Sequence, residues 1–189
     1  MKIFRNVFEA GKALPRSVVA IGKFDGIHRG HRKLIETAVK KARALKAPCM
    51  VLTFDPSPEQ FFGRRPEEPI LPLAARLERL KTLDVDGVAL VPFDESLACV
   101  SPEAFATHIL AGQLKPAGVC VGQDFCFGKD RAGRVETLRA LGPGLGFWVR
   151  SVPLVRAGGE KVSSSRIREL LRKGERRRAE SLLGFRLPG

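Results

Sequence analysis

The sequence has only three histidines in 189 residues, and it lacks any long apolar segment. No run approaches the ~20 apolar residues that a membrane-spanning helix needs. Residues 1–10 contain no apolar stretch of the length found in a signal peptide. We therefore expect a cytoplasmic protein that is not anchored in a membrane.

Closely spaced cysteine pairs, internal repeats and low-complexity linkers are also missing. The four cysteines form no C-x-x-C pair, and Cys49 and Cys120 lie in apolar, strand-like runs, so we expect all four to be reduced core or pocket residues: Cys49, Cys99, Cys120 and Cys126. A chain of this length that is 44% hydrophobic fits one domain. We expect a single domain over residues 1–189.

Acidic residues are too few to balance the basic ones. The chain has 33 Lys and Arg against 20 Asp and Glu, which gives a formal net charge of +13. Such an excess indicates an anionic partner. It does not by itself separate nucleotides from nucleic acid or from an acidic membrane surface.

The apolar pattern predicts alternating strands and helices. Runs rich in β-branched residues predict strands at 17–21, 49–54, 87–91, 118–121 and near 147–155. Helical periodicity follows over 34–45 and 73–83, and a third helix is expected to begin at Ser101-Pro102, an N-cap serine before a proline. This order predicts a Rossmann-like α/β fold, a mostly parallel sheet with helices on both faces.

Three unusual segments follow predicted strands directly. They are GKFDGIHRGH (22–31), TFDPSPEQFF (53–62) and VGQDFCFGKDRAG (121–133). Because parallel sheets bind ligands at the carboxyl ends of their strands, these segments are expected to meet at one rim and form a site.

The first segment combines a glycine-rich turn with His28 and His31 at the start of a helix. Such a turn lets backbone N–H groups approach a phosphate, and the helix dipole adds positive charge. It is neither a Walker loop nor a G-x-G-x-x-G fingerprint. The histidines are expected to donate to phosphate oxygens and to stabilise charge in a transition state.

A second anion site is expected at VSSSRIRELL (162–171). One serine suffices to cap a helix, and three serines beside two arginines suggest a second site that binds phosphate groups. Arg168 lies near a helix end that is already positive, so it should need an anionic ligand, and its loss should leave stability nearly unchanged.

Together these blocks resemble the FMN adenylyltransferase (FAD synthetase) module of bacterial bifunctional riboflavin kinase/FAD synthetases, within the H-x-G-H nucleotidyltransferase superfamily. The resemblance spans nearly the whole chain. It implies the reaction FMN + ATP → FAD + pyrophosphate, with Mg²⁺ bridging the phosphates through ligands that the sequence does not identify. Its implied catalytic residues are His28, His31, Ser164 and Arg168. ATP binding is implied for these and for Gly22, Phe24, Asp25, Gly30 and Ser163, with Gly22, Phe24 and Asp25 on the adenosine side.

For the flavin the resemblance implies a pocket built by Phe54, Pro56, Pro58, Phe62, Asp124, Phe125 and Phe127. Ser57, Cys126 and Lys161 depart from residues that are frequent in the family. The bifunctional enzymes continue into a riboflavin kinase module after the equivalent of LLGFRLPG (182–189), so we expect that module to be absent and a separate riboflavin kinase to supply FMN.

Two alternatives stay open. The H-x-G-H chemistry serves other acceptors in related families, such as pantetheine phosphate or nicotinamide mononucleotide, although these families lack the TFDPSP and DFCFG blocks. The basic run RIRELLRKGERRR (166–178) would also suit a nucleic-acid-binding protein on a degenerate transferase scaffold. A solvated helix face beside a phosphate site is the preferred interpretation of that run.

Overall fold

The computed structural model describes residues 1–63 and 69–187. Its strands are β1 (Lys2–Phe4), β2 (Val18–Ile21), β3 (Cys49–Phe54), β4 (Gly87–Val91), β5 (Gly118–Gly122), β6 (Cys126–Phe127), β7 (Gly133–Arg134), β8 (Trp148–Val152), β9 (Arg156–Ala157) and β10 (Glu160–Lys161). Six of them form one parallel sheet in the order β1-β4-β3-β2-β5-β8. The pairs β6-β7 and β9-β10 are small antiparallel hairpins.

The helices are α1 (Val7–Ala13), α2 (Arg29–Ala44), α3 (Pro58–Phe61), α4 (Leu73–Lys81), α5 (Glu95–Ala98), α6 (Pro102–Ala104), α7 (Val135–Leu141), α8 (Ser164–Arg172) and α9 (Arg176–Leu183). Helix α6 continues directly as a π-helix over Phe105–Leu114. Helices α1 and α7 and the π-helix pack on one face of the sheet, and α2 and α4 pack on the other. The predicted α/β architecture is therefore confirmed.

Strand β2 shows why the predicted strands are continuously apolar. All four of its residues are buried. Val19 and Ile21 join the core on the α1 side, whereas Val18 and Ala20 join the core on the α2 side. Because side chains alternate along a strand, a sheet that is covered on both faces needs apolar residues at every position.

Helices α8 and α9 form a third, smaller core beside the sheet. Its centre consists of Val162, Ile167, Leu170, Ala179, Leu182 and Leu183. Ile70 and Val155 from the main body pack against it. This arrangement places the first turn of α8 next to the loop that follows β2.

The five predicted strands are confirmed, and so is the third helix: the Oγ of Ser101 accepts a hydrogen bond from the N–H of Ala104 at 3.1 Å. Strand β1 was not predicted. Cys49 and Cys120 are buried, and burial raises the pKa of each thiol to about 12. The prediction was wrong for Cys99, which is exposed just after α5. Of the helices within residues 1–63 and 69–187, none has the length and apolarity to cross a bilayer.

Candidate active site

The site lies at the carboxyl ends of β2, β3 and β5. Strand β2 pairs with β3 on one side and with β5 on the other, so the strand order reverses at β2. Gly22 directly follows β2, and its N–H donates to the carbonyl of Leu52 on β3 at 3.2 Å. Reversal points of this kind open the crevice in which α/β sheets bind ligands. The three segments singled out in the sequence converge here.

The loop after β2 turns sharply through left-handed backbone conformations. Phe24 has a φ of 50°, Gly26 of 80° and Ile27 of 40°. Gly26 tolerates its conformation because it has no Cβ. A β-branched residue such as Ile27 is rarely found there, and strained residues of this kind gather at ligand sites. The tight turn directs the chain into α2 at the rim of the sheet.

His28 and His31 stack on each other at the start of α2. Their ring centroids lie 3.6 Å apart, with 15° between the planes. His28 is the N-cap residue, and its Nδ1 accepts a hydrogen bond from the backbone N–H of His31 at 3.2 Å. This bond assigns the proton of a neutral His28 to Nε2. Gly30 permits the packing, because a Cβ there would lie 3.2 Å from the His28 ring.

Both histidines are held in the neutral form. Burial lowers the pKa of His28 to about 4. Burial, followed by the neighbouring His28, Lys23 and Arg76, holds the pKa of His31 well below 6.5. His31 is half-buried, its Nδ1 is sealed from solvent without a hydrogen-bond partner, and the ring of Phe24 packs edge-on against it at 5.3 Å. A neutral imidazole donates a single hydrogen bond, which suits a phosphate oxygen.

The N-terminus of α8 meets this loop at Asp25. Ser163 caps α8 through a hydrogen bond from the N–H of Arg166, as the capping interpretation expects. The Oγ of Ser164 instead donates to the carbonyl of Asp25 at 3.1 Å. The first turns of two helices, α2 and α8, therefore face the same loop, and each contributes positive dipole and backbone N–H groups.

Arg168 has an anionic partner within the chain, which corrects the expectation that it needs a ligand to be accommodated. Its Nη2 donates to the carboxylate of Asp25, and the two side chains are 19% and 11% exposed. Asp25 also accepts from the N–H of Ile70 at 3.0 Å. Removing Arg168 takes a partner from a nearly buried carboxylate, so its loss is expected to lower stability and not to leave it unchanged.

Two predicted ATP residues, Phe24 and Asp25, lie inside the protein. Phe24 is completely buried and supports His31, so its side chain does not line a nucleotide site in this structure. Asp25 is 8% exposed and organises the loop. The predicted flavin residue Asp124 lies near the histidines, where its charge acts on His28 and its carboxylate pairs with Lys161 at 3.1 Å.

The predicted flavin residues fall into two aromatic groups. Phe54 and Phe62 both contact Phe93, with ring centroids 5.9 and 5.8 Å from it. Phe125 stacks on Phe127 at 5.5 Å, and Phe127 contacts Phe105 at 5.4 Å. Phe127 is buried in the core, whereas Phe62 is 51% exposed.

A cavity of about 450 Å³ joins the two groups, because both Phe54 and Phe105 line it. Its other apolar walls include Leu97, Val100 and Ile109. Polar groups are supplied by His108 and Gln113 of the π-helix. The lining also includes the polar or charged residues Arg5, Asn6, Asp94 and Ser96. A cavity of this size is typical of a small-molecule site. Sequence reasoning missed Phe93, Phe105 and His108. The last two residues, Phe105 and His108, reach the cavity because they lie on the π-helix.

The remaining flavin predictions and the three departures have local structural roles. Pro56 is exposed, and Pro58 is the first residue of α3. Ser57 caps α3 in a capping box with Gln60. Cys126 accepts from the guanidinium of Arg134 across the β6-β7 hairpin. Lys161 holds Asp124 as described above.

Comparisons with known proteins agree with this geometry. A family model for FAD synthetase matches residues 11–166. The chain is 40% identical over 179 residues to a putative bifunctional riboflavin kinase/FMN adenylyltransferase of Geobacillus thermodenitrificans, covering 94% of each chain. It is 33% identical over 186 residues to the bifunctional riboflavin kinase/FMN adenylyltransferase of Escherichia coli K12, covering 97% of this chain and 59% of that protein.

Among solved structures, a macrolide-efflux protein from Streptococcus pneumoniae superposes with a TM-score of 0.83 at 32% identity. The match covers 97% of this chain and 61% of that one. The fold and the site define an α/β nucleotidyltransferase. Within that class, the chain belongs to the FAD synthetase family.

Proposed function

We propose that this chain transfers the AMP moiety of ATP to FMN, giving FAD and pyrophosphate. The observation that carries the proposal is the meeting of two helix N-termini and a histidine pair at Asp25, at the same carboxyl edge of the sheet as a cavity lined by Phe54 and Phe105. Membership of the FAD synthetase family supports the same reaction. The site thus has one part suited to phosphates and one suited to a flat ring.

The triphosphate of ATP would lie between the first turns of α2 and α8. His28 Nε2 is the donor of its ring, since Nδ1 is already occupied by the N–H of His31. His28 and His31 would hold α- and β-phosphate oxygens. Ser164, through its backbone N–H, and Arg168 would hold the departing pyrophosphate, and Gly30 and Ser163 would contribute further backbone N–H groups. Gly22 would lie on the adenosine side.

The isoalloxazine ring of FMN would occupy the cavity between the two aromatic groups. Phe54 and Phe105 provide apolar walls, and Phe62 offers an exposed ring at the rim. His108 and Gln113 can form hydrogen bonds with the polar edge of the flavin. This placement directs the FMN phosphate towards the histidines, because cavity and histidines share the carboxyl edge of the sheet.

The reaction needs no covalent enzyme intermediate. An oxygen of the FMN phosphate attacks the α-phosphorus of ATP, a new O–P bond forms, and the bond from the α-phosphorus to the bridging oxygen breaks, so that pyrophosphate leaves with that oxygen. The attacking oxygen is already anionic, so no general base is required. The chain contributes positioning and stabilisation of negative charge.

Mg²⁺ is proposed to enter with ATP. Within residues 1–63 and 69–187, no three His, Cys, Asp or Glu side chains converge on a metal site. We propose an ion held chiefly by phosphate oxygens and water, with the carboxylate of Asp124, which pairs with Lys161, as a protein candidate. When bound, the ion neutralises charge on the phosphates.

The basic run 166–178 supports a substrate site more than a nucleic-acid face. Arg166 pairs with Glu160 and Glu169, Arg178 with Glu160 and Glu175, and Lys173 with Glu169. Arg176 pairs with Glu180, and Arg168 with Asp25. Positive charge that is paired locally contributes little to a phosphate-binding surface. We further propose a cytoplasmic location.

The test is incubation of the purified chain with FMN, ATP and Mg²⁺, followed by chromatography for FAD and a pyrophosphate assay. Both products should appear in equal amounts. Riboflavin in place of FMN should give no product, because it lacks the attacking phosphate. Failure to form FAD, together with adenylyl transfer to pantetheine phosphate or nicotinamide mononucleotide, would identify a different acceptor.

A further inference from the structure

Arg76 of α4 is a buried arginine that is not among the proposed substrate-binding residues. It is 6% exposed, and of the lysines and arginines within residues 1–63 and 69–187 it alone is buried. Taking a guanidinium out of water is costly unless its hydrogen bonds and its charge are matched. Neighbouring positions of α4 carry leucines that pack on the sheet, namely Leu73, Leu77 and Leu80. An apolar residue would therefore suit the core at this position.

The guanidinium of Arg76 connects two loops of the site. Its Nη1 donates to the carbonyl of Lys23, and its Nη2 donates to the carbonyl of Phe54, each at 3.3 Å. Nη2 also lies 3.8 Å from the carboxylate of Asp55. Lys23 belongs to the loop that leads to the histidines, and Phe54 and Asp55 begin the loop on the flavin side. A single rigid fork therefore spans the two halves of the site.

The first of these contacts acts directly behind His31. The Lys23 carbonyl also accepts from the Oγ1 of Thr53 at 3.0 Å, so it is held from two directions. The next residue, Phe24, packs its ring against His31. The second contact acts on the flavin wall, because Phe54 lines the cavity. Because Arg76 itself is buried, we expect it to act on the substrates through these two loops.

We propose that Arg76 is a positioning residue that fixes the loops after β2 and β3 relative to each other, so that the FMN phosphate and the α-phosphorus of ATP are aligned for attack. The expected effect of Arg76 on catalysis rests on the proposed function. The tether between the loops stands on the contacts alone. Small displacements of reacting groups are sufficient to slow a reaction of this kind about a hundredfold.

The test compares Arg76→Gln and Arg76→Lys with a matched control, Arg79→Gln. Arg79 lies on the same helix and packs over Phe185, away from both loops. Arg76→Gln should lower kcat by about a hundredfold while the KM values for ATP and FMN change by less than about threefold. Arg76→Lys should restore about a tenth of wild-type kcat, because an ammonium keeps the charge but not the fork. Arg79→Gln should stay within about twofold of wild type.

Hydrogen–deuterium exchange provides a readout that is independent of FAD formation. In Arg76→Gln, peptides covering 22–28 and 54–63 should exchange faster than in wild type, while peptides covering β5 and β8 remain unchanged. Arg79→Gln should leave both loops as in wild type. Faster exchange throughout the sheet would show a general structural role and would overturn the proposal.

The outcomes separate this proposal from the proposed function. If the wild type makes no FAD but Arg76→Gln loosens both loops, the function fails and the tether stands. If FAD forms and exchange in both loops is unchanged in the variant, the tether is wrong. Should Arg76→Gln not fold, Arg76→Lys decides, since wild-type turnover and wild-type exchange in that variant would overturn the proposal.

Discussion

The Oδ2 of Asp25 and the Nη2 of Arg168 join the loop after β2 to helix α8 across 143 positions of sequence. The carbonyl of the same Asp25 accepts from Ser164, so one residue anchors the first turns of α8 in two ways. The proposed pyrophosphate site and the proposed α-phosphate site are therefore mechanically connected. This relationship makes Arg168 both a ligand candidate and a structural residue.

Arg168→Ala should lower both turnover and stability. It leaves the Asp25 carboxylate with backbone donors alone, which should decrease the free energy of unfolding by about 1–3 kcal/mol. Weaker ATP and pyrophosphate binding should accompany the loss, with FMN affinity retained. Urea denaturation and calorimetric titration measure these quantities. Arg172→Ala, an exposed residue on the same helix, is the control and should change neither.

A purely nucleic-acid-binding role for Arg168 has a different signature. In that case Arg168→Ala would leave FAD formation intact and flatten the salt dependence of RNA binding by about one unit. Both measurements on this one variant distinguish the two roles.

His31→Ala should reduce turnover by about ten- to a thousandfold, the range expected when one preorganised donor to developing charge is lost. The fold should persist, because His28 still caps α2 through a backbone N–H that alanine retains. Steady-state kinetics, with circular dichroism as the folding control, test this. Near-normal turnover would reduce His31 to a packing residue between His28 and Phe24.

The elements that sequence predicts well here depend on local chemistry. Ser101 and Pro102 start a helix because the hydroxyl and the proline ring act within one turn. Strand β2 is identified because both of its faces are buried. Strand β1 has three residues at the sheet edge, with Ile3 43% exposed, and such a short segment carries no distinctive pattern.

The site residues that sequence misses depend on long-range assembly. Arg76 sits in an ordinary amphipathic helix, and its burial arises only because two loops from other strands close over it. Phe105 and His108 reach the cavity from a π-helix, which a periodicity of 3.6 residues does not anticipate. Arg168 is predicted to bind phosphate, and its ion pair with Asp25 joins segments 143 positions apart, which no local sequence pattern indicates.

Phe62→Ala should weaken FMN binding by roughly 1–3 kcal/mol, through loss of stacking and of apolar burial on the flavin ring. ATP binding should be little affected, because Phe62 clusters with Phe93 and Phe61 on the flavin side. Quenching of flavin fluorescence on titration with protein measures the affinity. Leu45→Ala is a control of equal exposure at the far end of α2, and it should leave FMN affinity unchanged.

The opposite pattern is equally informative. If Phe62→Ala lowered ATP affinity and preserved FMN affinity, the two substrates would occupy the reverse positions. The cavity lined by Phe54 and Phe105 would then belong to the adenosine half.

Stability should fall as the pH decreases from 7 to 5, and His28 should account for part of that change. Burial lowers its native pKa to about 4, whereas the unfolded chain has a value near 6.5, so the unfolded state binds more protons in this window. The free energy of unfolding therefore increases with pH between the two pKa values, and it decreases when the solution is acidified. For one histidine with these two values the loss between pH 7 and pH 5 is about 2 kcal/mol.

His28→Asn isolates this contribution. Asparagine still accepts the capping hydrogen bond from the N–H of His31, but it does not titrate. Urea denaturation at pH 7, 6 and 5 should show that the variant loses about 2 kcal/mol less than wild type over this range. Carboxylates protonate mainly below this window, so they contribute little to the difference. An identical slope in His28→Asn and wild type would mean that the fold does not hold His28 in the neutral form.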